Sequence, residues 1–66
     1  MPIYYVEIYG KGCTLIMARN TTQAKAIAAE NEGRRNVQLV RQATVVDIAH
    51  VRAMGGWVPE DEDDND

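Results

Sequence analysis

The last seven residues of the chain, Glu60-Asp-Glu-Asp-Asp-Asn-Asp66, hold six carboxylates and no base. A run of like charges repels itself and stays solvated, so this segment predicts a disordered acidic tail and contributes nothing to a core. Residues 1–59 must therefore supply the whole folded domain, and they hold all seven bases against four acids. The sequence thus predicts a domain of charge +3 joined to a tail of charge −6.

A domain of this size has few means of stabilising itself. A chain of about 60 residues buries only about 60% of its unfolded surface. Cys13 is the single cysteine and His50 the single histidine, which excludes an internal disulfide and a Cys/His metal cage. We therefore expect the domain to oligomerise or to dock on a partner, with a homodimer as one option.

The sequence also indicates where the protein works. No apolar run approaches the roughly 18 residues of a membrane span, and the first residues lack the features of a secretory signal. A lone free thiol suits a reducing compartment. We expect a cytoplasmic protein, in a bacterial host, that does not bind a membrane.

Alternation at the start of the chain predicts a β-hairpin. Residues Ile3–Tyr9 favour a strand whose even positions, Tyr4, Val6 and Ile8, face the core. Gly10-Lys-Gly12 predicts the turn. Residues Cys13–Ala18 return as a second strand that is apolar on both faces, which is typical of a central strand.

Helix-capping signals bound the next element. Asn20 and Gln23 resemble a capping box, so they predict a helix over Thr21–Glu32 that ends at a left-handed Gly33. Its narrow apolar face consists of Ala24, Ile27 and Ala28. Residues Asn36–Gln42 then predict a third strand.

A second capping pattern, Thr44-Val-Val-Asp47, opens another helix that ends at Gly55-Gly56. The predicted buried face of this helix is Val45, Ile48, Ala49 and Val51. The whole pattern is ββαβα, a small α+β domain over residues 1–59 with a three-stranded, mostly antiparallel sheet packed with two helices. The strand–helix–strand order in the middle also permits one parallel pair.

The sequence predicts no enzyme. Cys13 and His50 allow one formal nucleophile–base pair, but Cys13 is expected among apolar strand neighbours and His50 on a helix surface. Neither a phosphate-binding loop nor a calcium-binding loop is present, since Gly10-Lys-Gly12 lacks the necessary spacing. We expect no catalytic residue, no cofactor and no metal.

Direct binding of nucleic acid is a second possibility. Arg34, Arg35 and Arg41 are candidate anion contacts, and exposed tyrosines stack on unpaired bases. A sequence pI of about 4.9 opposes strong affinity for phosphates. On this alternative, the acidic tail would compete with nucleic acid and inhibit the domain to which it is attached.

The leading interpretation is binding to a basic surface of another protein. Acidic segments speed such encounters over long range, and aromatic residues anchor interfaces. Trp57 precedes the acidic tail, and Tyr5 and Tyr9 share a strand face with Glu7. The predicted partner-binding residues are Trp57, Glu60, Asp61, Glu62, Asp63, Asp64, Asp66, Tyr5 and Tyr9.

The segments Tyr4–Tyr9, Met17–Ala28 and Val37–Ile48 together resemble a class of very small phage and mobile-element proteins. Some anti-CRISPR proteins are similar in size, acidity and ββαβα-like layout. The resemblance is one of layout and carries over no residue role. It implies a host-defence inhibitor that occupies a surface of an RNA-guided complex or nuclease. The alternatives are the nucleic-acid-binding regulator and an oligomeric accessory protein that pairs through its apolar hairpin.

Overall fold

The structure, a computed structural model, describes residues 1–59 as an α+β domain in the predicted ββαβα order. Its elements are β1 (Ile3–Ile8), β2 (Gly12–Met17), α1 (Thr21–Glu32), a 3₁₀ turn (Arg34–Asn36), β3 (Val37–Gln42) and α2 (Val45–Ala53). The predicted elements are therefore present within a residue or so of their expected bounds, and the 3₁₀ turn is an addition. The predicted tail, residues 60–66, lies outside the described part of the chain and stays a prediction.

The sheet has the order β2-β1-β3, and β1 pairs antiparallel with both neighbours. The antiparallel prediction is thus confirmed over the described residues. The expectation that β2 is central was wrong, because β2 is an edge strand. Its two apolar faces have another cause: Ile16 packs on the core beneath α1, whereas Leu15 is buried on the opposite face, which α2 covers.

The core lies between α1 and the central strand. Tyr4, Val6 and Ile8 are all buried, which confirms the predicted face of β1. The helix meets this face through Ala24 and Ala28, both fully buried, with Ile27 packed at the margin. Because alanine side chains are small, α1 can lie close to this face of the sheet.

The ends of α1 follow the predicted chemistry with two differences. The Asn20 Oδ1 accepts the Gln23 N–H at 2.8 Å, as expected of an N-cap. The Gln23 side chain, however, accepts the Arg19 N–H at 2.6 Å, one residue earlier than in a capping box. Gly33 has φ 90° and ψ 134°, so it is extended at positive φ and not left-handed helical. The extended conformation of Gly33 at positive φ leads the chain from α1 directly into the 3₁₀ turn.

Local hydrogen bonds define both ends of α2. The Thr44 Oγ1 accepts the Asp47 N–H at 3.2 Å, and Asp47 Oδ2 accepts the Thr44 N–H at 2.8 Å, a complete capping box. At the other end, Gly55 has φ 80°, and the Gly56 N–H donates to the Val51 carbonyl at 3.0 Å. These are the features of a Schellman motif, which favours glycine at the left-handed position.

The buried face of α2 is narrower than predicted. Val51 is buried and Ile48 is half-buried, but Val45 and Ala49 are exposed, so half of the predicted face was wrong. The physical reason is the direction in which the helix leaves β3. Asp47 is drawn toward Arg41 on β3, and this places the Val45 side of the first turn in solvent.

We expect Gly56→Ala to destabilise the domain by about 1–3 kcal/mol, as overpacking does. A Cβ at position 56 would lie 2.8 Å from Val51 Cγ1 and 3.3 Å from the Val51 carbonyl oxygen. Urea denaturation at neutral pH measures the loss. In a Val51→Ala background the Cγ1 contact is gone, so the same substitution should cost less. An equal cost in both backgrounds would contradict this packing argument.

Candidate protein-binding surface

Four exposed apolar residues define what we call the outer face of α2: Val45, Val46, Ala49 and Ala53. Their spacing of one, three and four residues places them on one side of the helix. Val45 is 82% exposed and Val46 is 76% exposed. β-branched residues are poor helix formers and gain nothing from solvent. Their exposure on a short helix is typical of a surface that a partner covers.

Trp57 lies just beyond the Schellman motif and is 69% exposed. It lines a cleft between β2 and α1, together with Met17, Ile27 and Glu32. Trp57 is therefore a surface residue and does not close the core. Two residues later Pro59 is buried, and the acidic segment 60–66 follows directly in the sequence.

The two predicted tyrosines line one cleft, between the sheet and α2, with Glu7 and His50. Tyr9 is exposed, whereas Tyr5 is half-buried and lies beneath the guanidinium of Arg41, 4.4 Å from the ring centroid. This cation–π contact occupies one face of the Tyr5 ring. The side-chain interaction with Cys13, partial desolvation and the nearby Glu7 raise the pKa of Tyr5. Tyr9 is therefore the more accessible of the pair.

Arg41, one of the predicted anion contacts, is held by a carboxylate of its own chain. Its Nη1 lies 2.6 Å from Asp47 Oδ2 and its Nη2 lies 2.9 Å from Asp47 Oδ1, a bidentate pair. The hydrogen bond from Arg41, assisted by the Thr44 N–H, holds the pKa of Asp47 well below its usual range. An external anion would have to displace this pair.

Arg34 and Arg35, the other predicted anion contacts, are exposed in the 3₁₀ turn. Neither has a carboxylate partner within residues 1–59. Arg34 lines a cleft between α1 and β3 that also contains Lys25. Arg41 points to the other face of the sheet, so the structure separates it from Arg34. Sequence reasoning missed Lys25, because only the packing of α1 against β3 brings it to this cleft.

Cys13 and His50 line the same cleft, on facing elements. No hydrogen bond joins them in the described part of the chain, so a nucleophile–base geometry is not formed there. Residues 1–59 contain no cluster of three His, Cys, Asp or Glu side chains that is suited to a metal ion. Over the same residues, no helix is long and apolar enough to cross a membrane.

In comparisons with known proteins, the chain matches no family profile, no curated protein and no solved structure. Its function must therefore be inferred from the surfaces described above. The structure presents an apolar helix face and an exposed tryptophan, followed in sequence by the acidic segment.

We expect Asp47→Asn to lower the stability of the domain at neutral pH, since it weakens both the Arg41 pair and the helix cap. The pKa of Asp47 is depressed by folding, so its ionised form stabilises the domain above the unfolded pKa of about 3.9. That contribution is lost as the pH falls through the lower folded pKa. The difference between wild type and variant should therefore shrink below about pH 4.

Thermal unfolding between pH 7 and pH 2 measures this effect. Glu30→Gln is the matched control, because it removes the same charge from an exposed site on α1 that has no ion pair within residues 1–59. We expect the control to track the wild type at every pH. A deficit for Asp47→Asn that stays constant down to acid pH would contradict the assigned role of the carboxylate.

Proposed function

We propose that this protein is a non-catalytic binding protein that occupies a basic surface of a nucleic-acid-handling complex. Within that class, we propose the role of an anti-CRISPR-type inhibitor, encoded by a phage or mobile element and acting on an RNA-guided complex in the bacterial cytoplasm. The ββαβα layout, which resembles that of some anti-CRISPR proteins, supports the role of inhibitor. The general class is supported by the exposed surfaces of the domain.

One observation carries the proposal: the outer face of α2 and Trp57 leave apolar surface in solvent, and six carboxylates begin three residues after Trp57 in the sequence. Apolar contacts of this kind supply affinity when a partner excludes water from them. The negative charge of residues 60–66 would steer the encounter and select a partner rich in Lys and Arg. Sites that hold nucleic acid have this basic character, so an acidic protein is a natural competitor for them.

The proposal predicts separate roles for the apolar and the acidic parts. Trp57→Ala and Val46→Ser should each weaken binding, Trp57→Ala by about tenfold or more, with little change in salt dependence. Changing the six terminal acids to their amides should instead flatten the dependence of affinity on salt. Binding to purified RNA-guided effector complexes, immobilised and titrated over a salt series, measures both. Inhibition of target-DNA cleavage by the same complexes measures the consequence.

Thr21→Ser is the matched control for Val46→Ser, since Thr21 is an exposed β-branched residue on α1 that lines none of the clefts described above. It should bind as the wild type does. A neutralised acidic segment with an unchanged salt slope would remove that segment from the mechanism. Absence of binding to every effector complex tested would overturn the particular role.

A second candidate has its own supporting observation. Five bases have no carboxylate partner within residues 1–59, namely Arg19, Lys25, Arg34, Arg35 and Arg52. They are consistent with a small nucleic-acid-binding regulator whose acidic segment competes with phosphate. This alternative predicts the opposite sign, because neutralising the acidic segment should then increase affinity for single-stranded DNA or RNA.

A further inference from the structure

The outer edge of β3 carries unpaired main-chain groups. The Ala43 N–H donates to the Ile3 carbonyl at 2.8 Å, which fixes the hydrogen-bonding side of the ladder. In an antiparallel pair, the main-chain N–H and C=O groups of successive residues point alternately toward the neighbouring strand and away from it. Leu39 and Arg41 therefore face β1 with their main-chain groups, whereas the N–H and C=O of Val40 point away from the sheet. Such an edge is open to an additional extended segment.

A cleft of about 650 Å³ lies beside this edge, between β3 and α1. Its helix wall is made by Ala26 and Ala29, whose small side chains leave room for a further segment, and by Lys25. Leu39 and Val40 contribute apolar surface from the strand, and Arg34 lies at the cleft as well. The cleft is thus part apolar and part basic, and the residues that line it include no acid.

The two bases of the cleft differ from the other bases near the sheet. Lys11 is paired with Glu32 at 2.8 Å, and Arg41 is paired with Asp47. Lys25 and Arg34 have no such partner within residues 1–59. Two uncompensated positive charges beside an open strand edge favour an extended segment that is negatively charged.

We infer that this cleft binds the acidic residues 60–66 of a second copy of the chain. The charges are complementary, since residues 60–66 carry six carboxylates and the two charged residues that line the cleft, Lys25 and Arg34, are basic. The lengths also agree, because seven extended residues span about 24 Å and a six-residue strand spans about 20 Å. The main-chain groups of Val40 offer hydrogen bonds that do not depend on the side chains of the bound segment. This inference rests on the charges and main-chain groups of the cleft and does not require the partner proposed above, although both would bind the same acidic segment.

The position of Trp57 favours a second copy over the same molecule. Trp57 lies at the cleft between β2 and α1, on the opposite side of the sheet from the outer edge of β3. The chain would have to pass around α1, a path of about 17 Å for a helix about 11 Å in diameter, which leaves too little of its about 24 Å reach to lie along its own β3. Two copies that exchange their acidic segments form a closed two-fold dimer, in which both clefts are filled.

Other occupants fit the cleft less well. Nucleic acid bound as a single strand needs aromatic side chains for stacking, and none lines this cleft. Direct pairing of β3 with β3 of a second copy would bring two basic clefts together, which like-charge repulsion opposes. Both remain measurable outcomes of the experiment below.

Sedimentation equilibrium of the full chain at low and high ionic strength tests the inference. We expect a dimer at low salt that dissociates as salt is added. Lys25→Gln with Arg34→Gln should raise the dissociation constant by about tenfold, as should neutralisation of residues 60–66. The matched control is Arg19→Gln with Arg52→Gln, which removes the same charge from exposed sites outside the cleft. Amide NMR shifts at Gln38 and Val40 should change with protein concentration.

Each alternative gives a different result. Equal effects of the two double variants would overturn a specific cleft. Shifts at Val40 that depend on the acidic segment but not on concentration would assign the contact to the same molecule. Association that survives neutralisation of the segment would indicate β3–β3 pairing. A monomer whose Val40 amide responds only to an oligothymidine would assign the cleft to nucleic acid. The Lys25→Gln, Arg34→Gln variant leaves the outer face of α2, Trp57 and residues 60–66 unchanged, so its effect on dimerisation is separable from binding to the proposed partner.

Discussion

The carboxylate of Asp47 ties α2 to the sheet. It closes the capping box with Thr44 and forms the bidentate pair with Arg41, and Arg41 in turn stacks on Tyr5 of the central strand. Helix initiation and tertiary docking thus depend on the same two oxygens. This matters because α2 has only nine residues, and a helix of that length is not stable without tertiary contacts. Its own buried contribution consists of Val51 and the half-buried Ile48.

The same anchorage explains why so much of α2 is exposed. A helix held at its first turn by a polar pair, and farther along by one buried valine, cannot also turn Val45 and Val46 inward. Burying these two side chains would require a rotation that separates Asp47 from Arg41. The outer face of α2 is therefore fixed in solvent by the interaction that stabilises the helix. Because the anchorage already sets the orientation of α2, less ordering is required when a partner covers this face.

The elements that sequence predicted well are those determined by neighbours along the chain. The strand face of Tyr4, Val6 and Ile8, the Asn20 cap and the glycine stop of α2 are all set by local alternation or by hydrogen bonds within a few residues. Two local details at the ends of α1 also differed, namely the Gln23 contact and the Gly33 conformation, but the errors in the placement of elements concern long-range arrangement. An apolar strand covered on both faces has the same composition at an edge as in the centre, so β2 was placed wrongly.

The candidate surfaces show the same limit. The exposure of Trp57 depends on where the Schellman turn directs the chain, and the role of Lys25 depends on the packing of α1 against β3. Neither is encoded in a local pattern. The pairing of Arg41 with Asp47 was equally hidden, although a six-residue separation across a strand-to-helix turn is close enough for contact. The sign of the charge in each part of the chain could be predicted from the sequence, but which individual side chains form ion pairs could not.

The pattern of paired and unpaired charges in the domain connects the two proposals. Within residues 1–59, two acids are engaged in ion pairs that hold elements together, which leaves the remaining bases exposed. The acidic residues 60–66 supply the opposite charge in the sequence. At low concentration of partner, the acidic segment would bind a second copy of the chain. At high concentration of partner, it would bind the basic surface of the partner. The segment would thus exchange one set of salt-sensitive contacts for another. Because both contacts weaken with ionic strength, affinity for a partner would depend less on salt than the charge of the segment implies.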